Sequence, residues 1–494
     1  VDFSDKANNF AGVMTIGTDT FAMTYAKPEE VAAKQSMTLL KANDSLKAIV
    51  NEEKAKTYSI EPVAGVTIEA KLTGKLANSG NNVTFTATEN KASALTFGKV
   101  EWTGDTPLLD HSKTLKNVSF DGATVDTSNI DFYKEMYIEA DQTTTLVSDF
   151  GGTPKDIKGT TYKVGTAFDG EGSATMENGN LIFRTKTSAG VSEQTHKAVM
   201  GVEATMGLLA SGKEHVGNVL DGLGNLSNVG SDGASVAASF GGGKDRYETN
   251  SHVNINSWSA AVGVGARKET KKGTLQYGIF GEYGKGNYTM HSDVGRSDGD
   301  AHYAGGGLMA KWTNKHDVYT EASFRLGRVS DSANDLLRDG AGNAYGYDIH
   351  ATYYGAHVGL GKIFNYKGGK SLDVYGKFFY TKRDGAEFDA KQHYNLDSVN
   401  SSVLRIGARY GTTDKKWNWY GGLAYEYEFD GEAKGTVNGT EIRAASIKGS
   451  SVRGEFGMRM DATKDNPWRT DISIYGYGGK HRGFGGSVNV AYTF

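Results

Sequence analysis

The stretch Phe484-Gly-Gly-Ser-Val-Asn-Val-Ala-Tyr-Thr-Phe494 decides the fold. Phe484, Val488, Val490, Tyr492 and Phe494 share one face, and Gly485, Ser487, Asn489, Ala491 and Thr493 share the other. That is a period-2 strand with an apolar face and a small, polar face. A strand with lipid on one side and a wet lumen on the other carries this pattern.

Upstream, the device repeats from about residue 234. Trp258, Val262 and Val264 alternate with Ala261, Gly263 and Gly265, and Phe324 and Leu326 alternate with Glu321, Ser323 and Arg325. Leu404, Ile406, Ala408 and Tyr410 alternate with Arg405, Gly407 and Arg409. Leu423, Tyr425 and Tyr427 alternate with Glu426 and Glu428, and Val452, Phe456 and Met458 alternate with Arg453, Glu455 and Arg459. A soluble sandwich also alternates, so three further features separate the readings. The strands run to about ten residues or more, as a tilted membrane span requires. Aromatics such as Trp417, Trp419 and Tyr420 crowd strand ends, as interfacial girdles do. The connections also alternate in length. Lys268–Lys272, Asn314–Asp317, Asn365–Lys370, Thr412–Lys416 and Thr463–Pro467 read as short turns. Asn287–Asp300, Ser330–Gly346, Arg383–Asn400 and Asp430–Ile447 read as long polar loops. Together these predict an up-and-down antiparallel transmembrane β-barrel of about 12 strands over 234–494. Parity places Phe494 on the periplasmic rim.

Composition agrees. The chain has 494 residues, 66 Gly, 26 Tyr, 5 Pro and no Cys. Freedom from cysteine suits a route through an oxidising periplasm. No run of apolar residues is long enough for a transmembrane helix. The mean hydropathy of −0.47 does not argue against a barrel, where only alternate residues meet lipid. A net charge of −4 gives no support for nucleic-acid binding. The sequence begins at Val1 without an initiator Met or a signal-like segment, as expected of a mature or trimmed form.

Before the strands, residues 192–220 read as a helix, with Ser192 as N-cap and Glu193 near its positive end. Met206, Leu209 and Ala210 are spaced to share a stripe. Gly201, Gly207, Gly212 and Gly217 make the helix narrow, as a segment threading a small barrel must be. A surface linker helix is the alternative. The domain plan is an N-terminal, partly helical segment over 1–62, a β-rich segment over 63–190, the linker helix within 191–233, and the barrel.

A lumen-threading helix, about twelve strands and a terminal aromatic strand together resemble the translocator of a monomeric autotransporter (type Va secretion). The resemblance covers residues 191–494. It implies an outer-membrane protein of a diderm bacterium that exports its own passenger and anchors it at the cell surface, with adhesion as the passenger's expected role. It also implies contact with outer-membrane lipid, the barrel-assembly machinery and periplasmic chaperones, in a monomer. Val488, Val490, Tyr492 and Phe494 match the signal that machinery reads. Some family members cut their helix at an Asn-Asn pair, but the pairs here, Asn8-Asn9 and Asn81-Asn82, lie far upstream. A channel-forming barrel with an N-terminal domain and a soluble β-rich adhesin are the rival readings.

The first 190 residues would then be a passenger remnant. Pro28–Lys56 has a helical composition. From Val66-Thr-Ile-Glu-Ala-Lys-Leu72 onward, short β-rich runs recur at a spacing near twenty residues, as solenoid rungs would; a small sandwich is the alternative. Catalytic motifs are missing. Gly369-Lys370-Ser371 ends like a phosphate loop, but Phe364 stands where that loop needs Gly, so it reads as a turn. His196 and His215 read as lumen-polar groups. No enzyme and no cofactor are expected. The charged residues Glu321, Arg325, Arg405, Arg409, Glu426, Glu428, Arg453, Glu455 and Arg459 would face the lumen, because charge is costly against lipid. There they form either a general wet lining or a ring that docks the helix.

Overall fold

The computed structural model describes residues 27–40, 51–79, 82–132, 138–223, 232–249, 251–463 and 465–494. The chain divides into two compact units, residues 1–190 with 338–343 and residues 191–337 with 344–494.

The second unit is a closed, all-antiparallel barrel of twelve strands. They are β1 (Asp232–Thr249), β2 (Ser251–Thr270), β3 (Gly273–Ser292), β4 (Gly295–Asn314), β5 (Val318–Arg338) and β6 (Ala344–Tyr366). They continue as β7 (Lys370–Arg383), β8 (Val399–Thr412), β9 (Asn418–Glu428), β10 (Gly449–Met460), β11 (Trp468–Gly479) and β12 (His481–Thr493). Closure pairs β12 with β1, from Ser235 opposite Thr493 to Tyr247 opposite His481. Every ladder is thereby satisfied, the condition for a sheet to stand in hydrocarbon. The alternation has its expected outcome: Phe240, Ile279 and Leu423 are 56%, 57% and 70% exposed, while their strand neighbours turn inward. The Phe494 amide donates to the Ala234 carbonyl at 3.0 Å. Phe494 therefore lies on the rim where β1 begins.

The short turns stand where expected, but two of the four long loops do not. Asn287–Asp300 and Ser330–Gly346 are mostly strand, since β3 and β4 run on to Ser292 and Gly295, and β5 and β6 to Arg338 and Ala344. Beyond the hydrocarbon a paired strand needs no apolar face, so pairing continues where the hydrophobic signal stops. Arg383–Asn400 and Asp430–Ile447 are loops with short strand pairs of their own, Ala386–Ala390 with Gln392–Leu396 and Glu432–Ala433 with Ala445–Ser446. The wall is consequently lopsided. Strands β1–β6 have 18 to 23 residues and β7–β12 have 11 to 14.

A 3-10 turn, Glu193–Thr195, leads into α1 (His196–Leu223). Ser192 holds the N-cap position, but its side chain makes no capping bond. The Thr195 hydroxyl instead donates to the Ser192 carbonyl at 2.7 Å. The apolar stripe expected through Met206, Leu209 and Ala210 does not define a face, because α1 is buried on nearly every side.

In the first unit, three segments stack in parallel: Ala94–Thr96, Thr124–Asp126 and Asp156–Lys158. Lys99, Asp131 and Lys163 form a second parallel stack. Successive rungs are thus 30 to 32 residues apart rather than near twenty, because each turn of chain contributes more than one short strand. Antiparallel strands flank the stacks: Asn51–Val63 with Val66–Ser79, and Phe168–Glu177 with Asn180–Thr185. Phe97, Phe120, Phe132, Phe150, Tyr162 and Phe183 fill the core. The helical reading of Pro28–Lys56 fails on its described part. Pro28–Glu30 is a single 3-10 turn, Ser36–Leu40 is a strand, and the edge strand Asn51–Val63 covers the rest and crosses the boundary expected at residue 62. Its Glu and Lys residues favour helix intrinsically. On a sheet edge, charge is tolerated and discourages further pairing. Residues 1–26 and 41–50, with Asn8-Asn9 and Asn81, lie outside the described residues.

Candidate functional site in the barrel lumen

The site is the contact between α1 and the inner wall, and its two sides differ. Against β1–β4 the helix packs closely. A methyl group on Gly207 would stand 2.6 Å from both Ile255 Cδ1 and Tyr247 Cε2. On Gly212 it would stand 2.1 Å from the Tyr303 hydroxyl. The wall reciprocates: a Cβ on Gly263 would meet Val219 Cγ1 at 2.7 Å, and one on Gly265 would meet Leu223 Cδ1 at 2.9 Å. Val216, Val219, Leu220 and Leu223 join Ala237, Ala261, Phe280, Met309 and Ala491 in one apolar cluster.

The opposite side is charged. Glu214 on α1 pairs with Arg405, whose Nη1 donates to Glu214 Oε2 at 3.1 Å, and lies 3.9 Å from Arg453. Arg405 Nε donates to Glu426 at 2.6 Å, Arg453 Nη1 to Glu455 at 2.5 Å, and Arg409 Nε to the other oxygen of Glu455 at 2.7 Å. Arg325 Nη1 donates to the Leu209 carbonyl at 3.0 Å while its Nε donates to Glu282 at 2.9 Å. Toward the end of the helix, Lys311 reaches Asp221 at 2.8 Å, and Arg469 donates to the Asp221 carbonyl at 2.6 Å. Glu321 sits one layer back, between Lys377 at 2.5 Å and His357 at 3.2 Å. A cavity of about 80 Å³ remains on this side, lined in part by Lys213, Gly217, Lys377 and Tyr375. A methyl group on Gly217 would touch nothing within 4 Å. Paired, hydrogen-bonded carboxylates and guanidiniums are the condition under which charge is held away from bulk water.

The helix also binds the closing seam. His215 Nδ1 lies 2.7 Å from Ser239 Oγ on β1, and that hydroxyl donates to Asn489 Oδ1 on β12 at 2.6 Å. Asn218 Nδ2 reaches Ser239 and Ser487 at 3.4 and 3.5 Å. At the other end, His196 Nδ1 lies 2.7 Å from the Arg443 carbonyl, and Glu203 accepts from the Ala433 amide at 2.9 Å. The loop between β9 and β10 thus rests on the start of α1.

Of the nine charged residues expected in the lumen, Arg325, Arg405 and Arg453 touch the helix. Glu321, Arg409, Glu426 and Glu455 hold those cations or their neighbours. Glu428 bonds within the wall, accepting from Ser401 and the Ser402 amide at 2.5 and 2.7 Å, and Arg459 pairs with Asp461 at 2.9 Å. The helix's own contributors, Glu214, Asp221 and Asn218, escaped the sequence reading. Their signal was present: three polar side chains at spacings of four and three, which share one face of a helix. At the seam, Val488 and Phe494 point outward and exposed, and the Tyr492 ring packs between Trp468 at 4.9 Å and Phe494 at 5.1 Å. Among the described residues no group of three His, Cys, Asp or Glu is placed to hold a metal ion.

Residues 235–473 match the family model described as the autotransporter beta-domain. No curated protein sequence matches the chain. Three solved structures are similar. The translocator domain of NalP from Neisseria meningitidis is 16% identical, over 60% of this chain and 99% of that one, with a TM-score of 0.47. The transport unit of AIDA-I from Escherichia coli is 13% identical, over 59% and 99%, with a TM-score of 0.47. The β-domain of BrkA from Bordetella is 14% identical, over 54% and 100%, with a TM-score of 0.45. Over residues 235–473 the barrel is thus similar to the autotransporter beta-domain, the outer-membrane translocator domain of that family.

Proposed function

We propose that the barrel exports the chain that precedes it, then anchors that chain at the cell surface with α1 left in the pore as a plug. The observation that carries this reading is the path of α1. It enters at the rim where β3 and β4 meet, leaves at the rim where β1 begins, and is clamped between by Glu214 and Asp221. A chain captured in transit ends in this arrangement, whereas an open channel has no use for a bonded helix in its bore. The charged wall side, with Glu321, Arg325, Arg405, Arg409, Glu426, Arg453 and Glu455, acts as the docking ring, while Glu428 and Arg459 line the lumen ends. Export is tested on intact cells by the accessibility of the first unit to added protease. Cleavage with the barrel left whole is expected; protection until the cells are lysed would contradict the reading.

Val488, Val490, Tyr492 and Phe494 form the outward face of the closing strand, where an assembly machinery that completes the seam, with chaperones delivering the chain, would read them. Deleting 488–494 should abolish insertion, and wild-type levels of inserted barrel would refute that role. The closed sheet leaves no edge for a second copy to pair with, which supports a monomer. The parallel stacks of the first unit present an extended face of the kind solenoids use for binding, and this supports adhesion over catalysis. Cells carrying the chain should bind host or bacterial surfaces better than cells carrying the barrel alone, and equal binding would remove that role.

A further inference from the structure

The outward face of β3–β6 changes character abruptly where the apolar belt ends. On β3, exposed Tyr283 is followed outward by Lys285. On β5, Phe324 and Leu326 are followed by Arg328. Lys285 stands opposite Trp258 on one side and His302 on the other. His302 stands opposite Ser330, whose hydroxyl lies 2.8 Å from His350 Nδ1 on β6. Arg328 stands opposite Ala304, one outward step nearer the belt. Lys285, His302 and Arg328 are exposed, and among the described residues none of them makes a hydrogen bond or ion pair. The nearest outward acids are Asp300, two positions beyond His302, and Asp348, two beyond His350. Four adjacent strands span about 14 Å at about 4.8 Å each. Inside the lumen almost every cation has a carboxylate or carbonyl partner; here, at the edge of the hydrocarbon, Lys285 and Arg328 have none.

We propose that this face binds the phosphate groups of an outer-leaflet glycolipid, with Lys285 and Arg328 as its charged contacts, His302 and His350 flanking, and the acyl chains lying on the belt below. The arrangement matches such a lipid: an apolar belt, and at its edge the aromatic rings of Trp258 and Tyr283 in register with the unpaired cations Lys285 and Arg328. A cation beside an anionic membrane surface adds attraction to each phosphate it meets, and a guanidinium presents two parallel donors to phosphate oxygens. The proposal rests on the orientation given above, with the β3–β4 turn outside the cell.

The full chain in nanodiscs of phosphatidylcholine, doped with diphosphorylated lipid A, tests it by native mass spectrometry of retained lipid. The intact protein should retain the lipid. The double variant Lys285→Gln, Arg328→Gln should retain on the order of tenfold less, with its heat-modifiable mobility unchanged as proof of folding. Dephosphorylated lipid A should be lost from both. Equal retention by the variant would overturn the proposal, as would full displacement by millimolar inorganic phosphate, which would mark a site for free anions. Orientation is read separately. The sequence has no cysteine, so a single Val294→Cys in the β3–β4 turn should react with an impermeant maleimide on intact cells. Lipid retention without that labelling would overturn the orientation and spare the patch.

Discussion

The two sides of the lumen hold the same helix by opposite physics. Against β1–β4, α1 comes close because glycine faces bulk: Gly207 meets Ile255 and Tyr247, and Gly212 meets Tyr303. Against β5–β10 it stands off, and long side chains cross the gap to Glu214 and Leu209 around a cavity. The first side gives shape without much direction, since apolar contact depends on area. The second gives position, because a carboxylate between two guanidiniums has few satisfactory places to be. A plug needs both: a tight side to exclude ions and a charged side to fix its depth.

The comparison can be broken most severely at Glu214. Glu214→Gln leaves Arg405 and Arg453 buried without the helix carboxylate, and loss of one partner of a buried pair costs about 3–5 kcal/mol. Conductance of the intact chain should rise, and α1 should become open to protease in detergent. On the tight side, Gly212→Val drives a branched side chain into Tyr303 and Arg325 and should weaken docking by about 1–3 kcal/mol. Gly217→Ala, on the open side where a Cβ touches nothing, should stabilise the helix by up to about 1 kcal/mol through helix propensity. Thermal melts of the two variants should therefore move in opposite directions, and a shared direction would erase the distinction between the sides. At the seam, His215→Ala removes the bond to Ser239 at a cost of about 0.5–1.5 kcal/mol. It should lower the temperature at which the barrel loses its folded mobility on a gel. Lys213→Met is the smallest change. Its ammonium lies over the Phe379 ring at 4.7 Å, and a methionine there keeps the packing, so the melting temperature should move little.

The barrel was legible because lipid imposes a rule on every second residue, and the rule survives in each strand that crosses the membrane. It lapses above the membrane, which is why the outer halves of β3–β6 read as loops although their pairing continues. Strand Asn51–Val63 was lost for a related reason: an edge strand with Glu52, Glu53, Lys54 and Lys56 has the composition of a helix. The charged wall residues were legible as a class, since lipid excludes them. Their grouping was not. Arg405 and Glu214 are 191 positions apart, and only closure of the sheet brings them together. Likewise Ser239 and Asn489, 250 positions apart, meet only at the seam.

Plugging is the central claim, and single-channel conductance in planar bilayers tests it most directly. The full chain should show a small, quiet conductance, and the same chain lacking 192–223 a large and steady one. An equally large conductance before and after that deletion would contradict the account, because it would mean that α1 does not fill the pore.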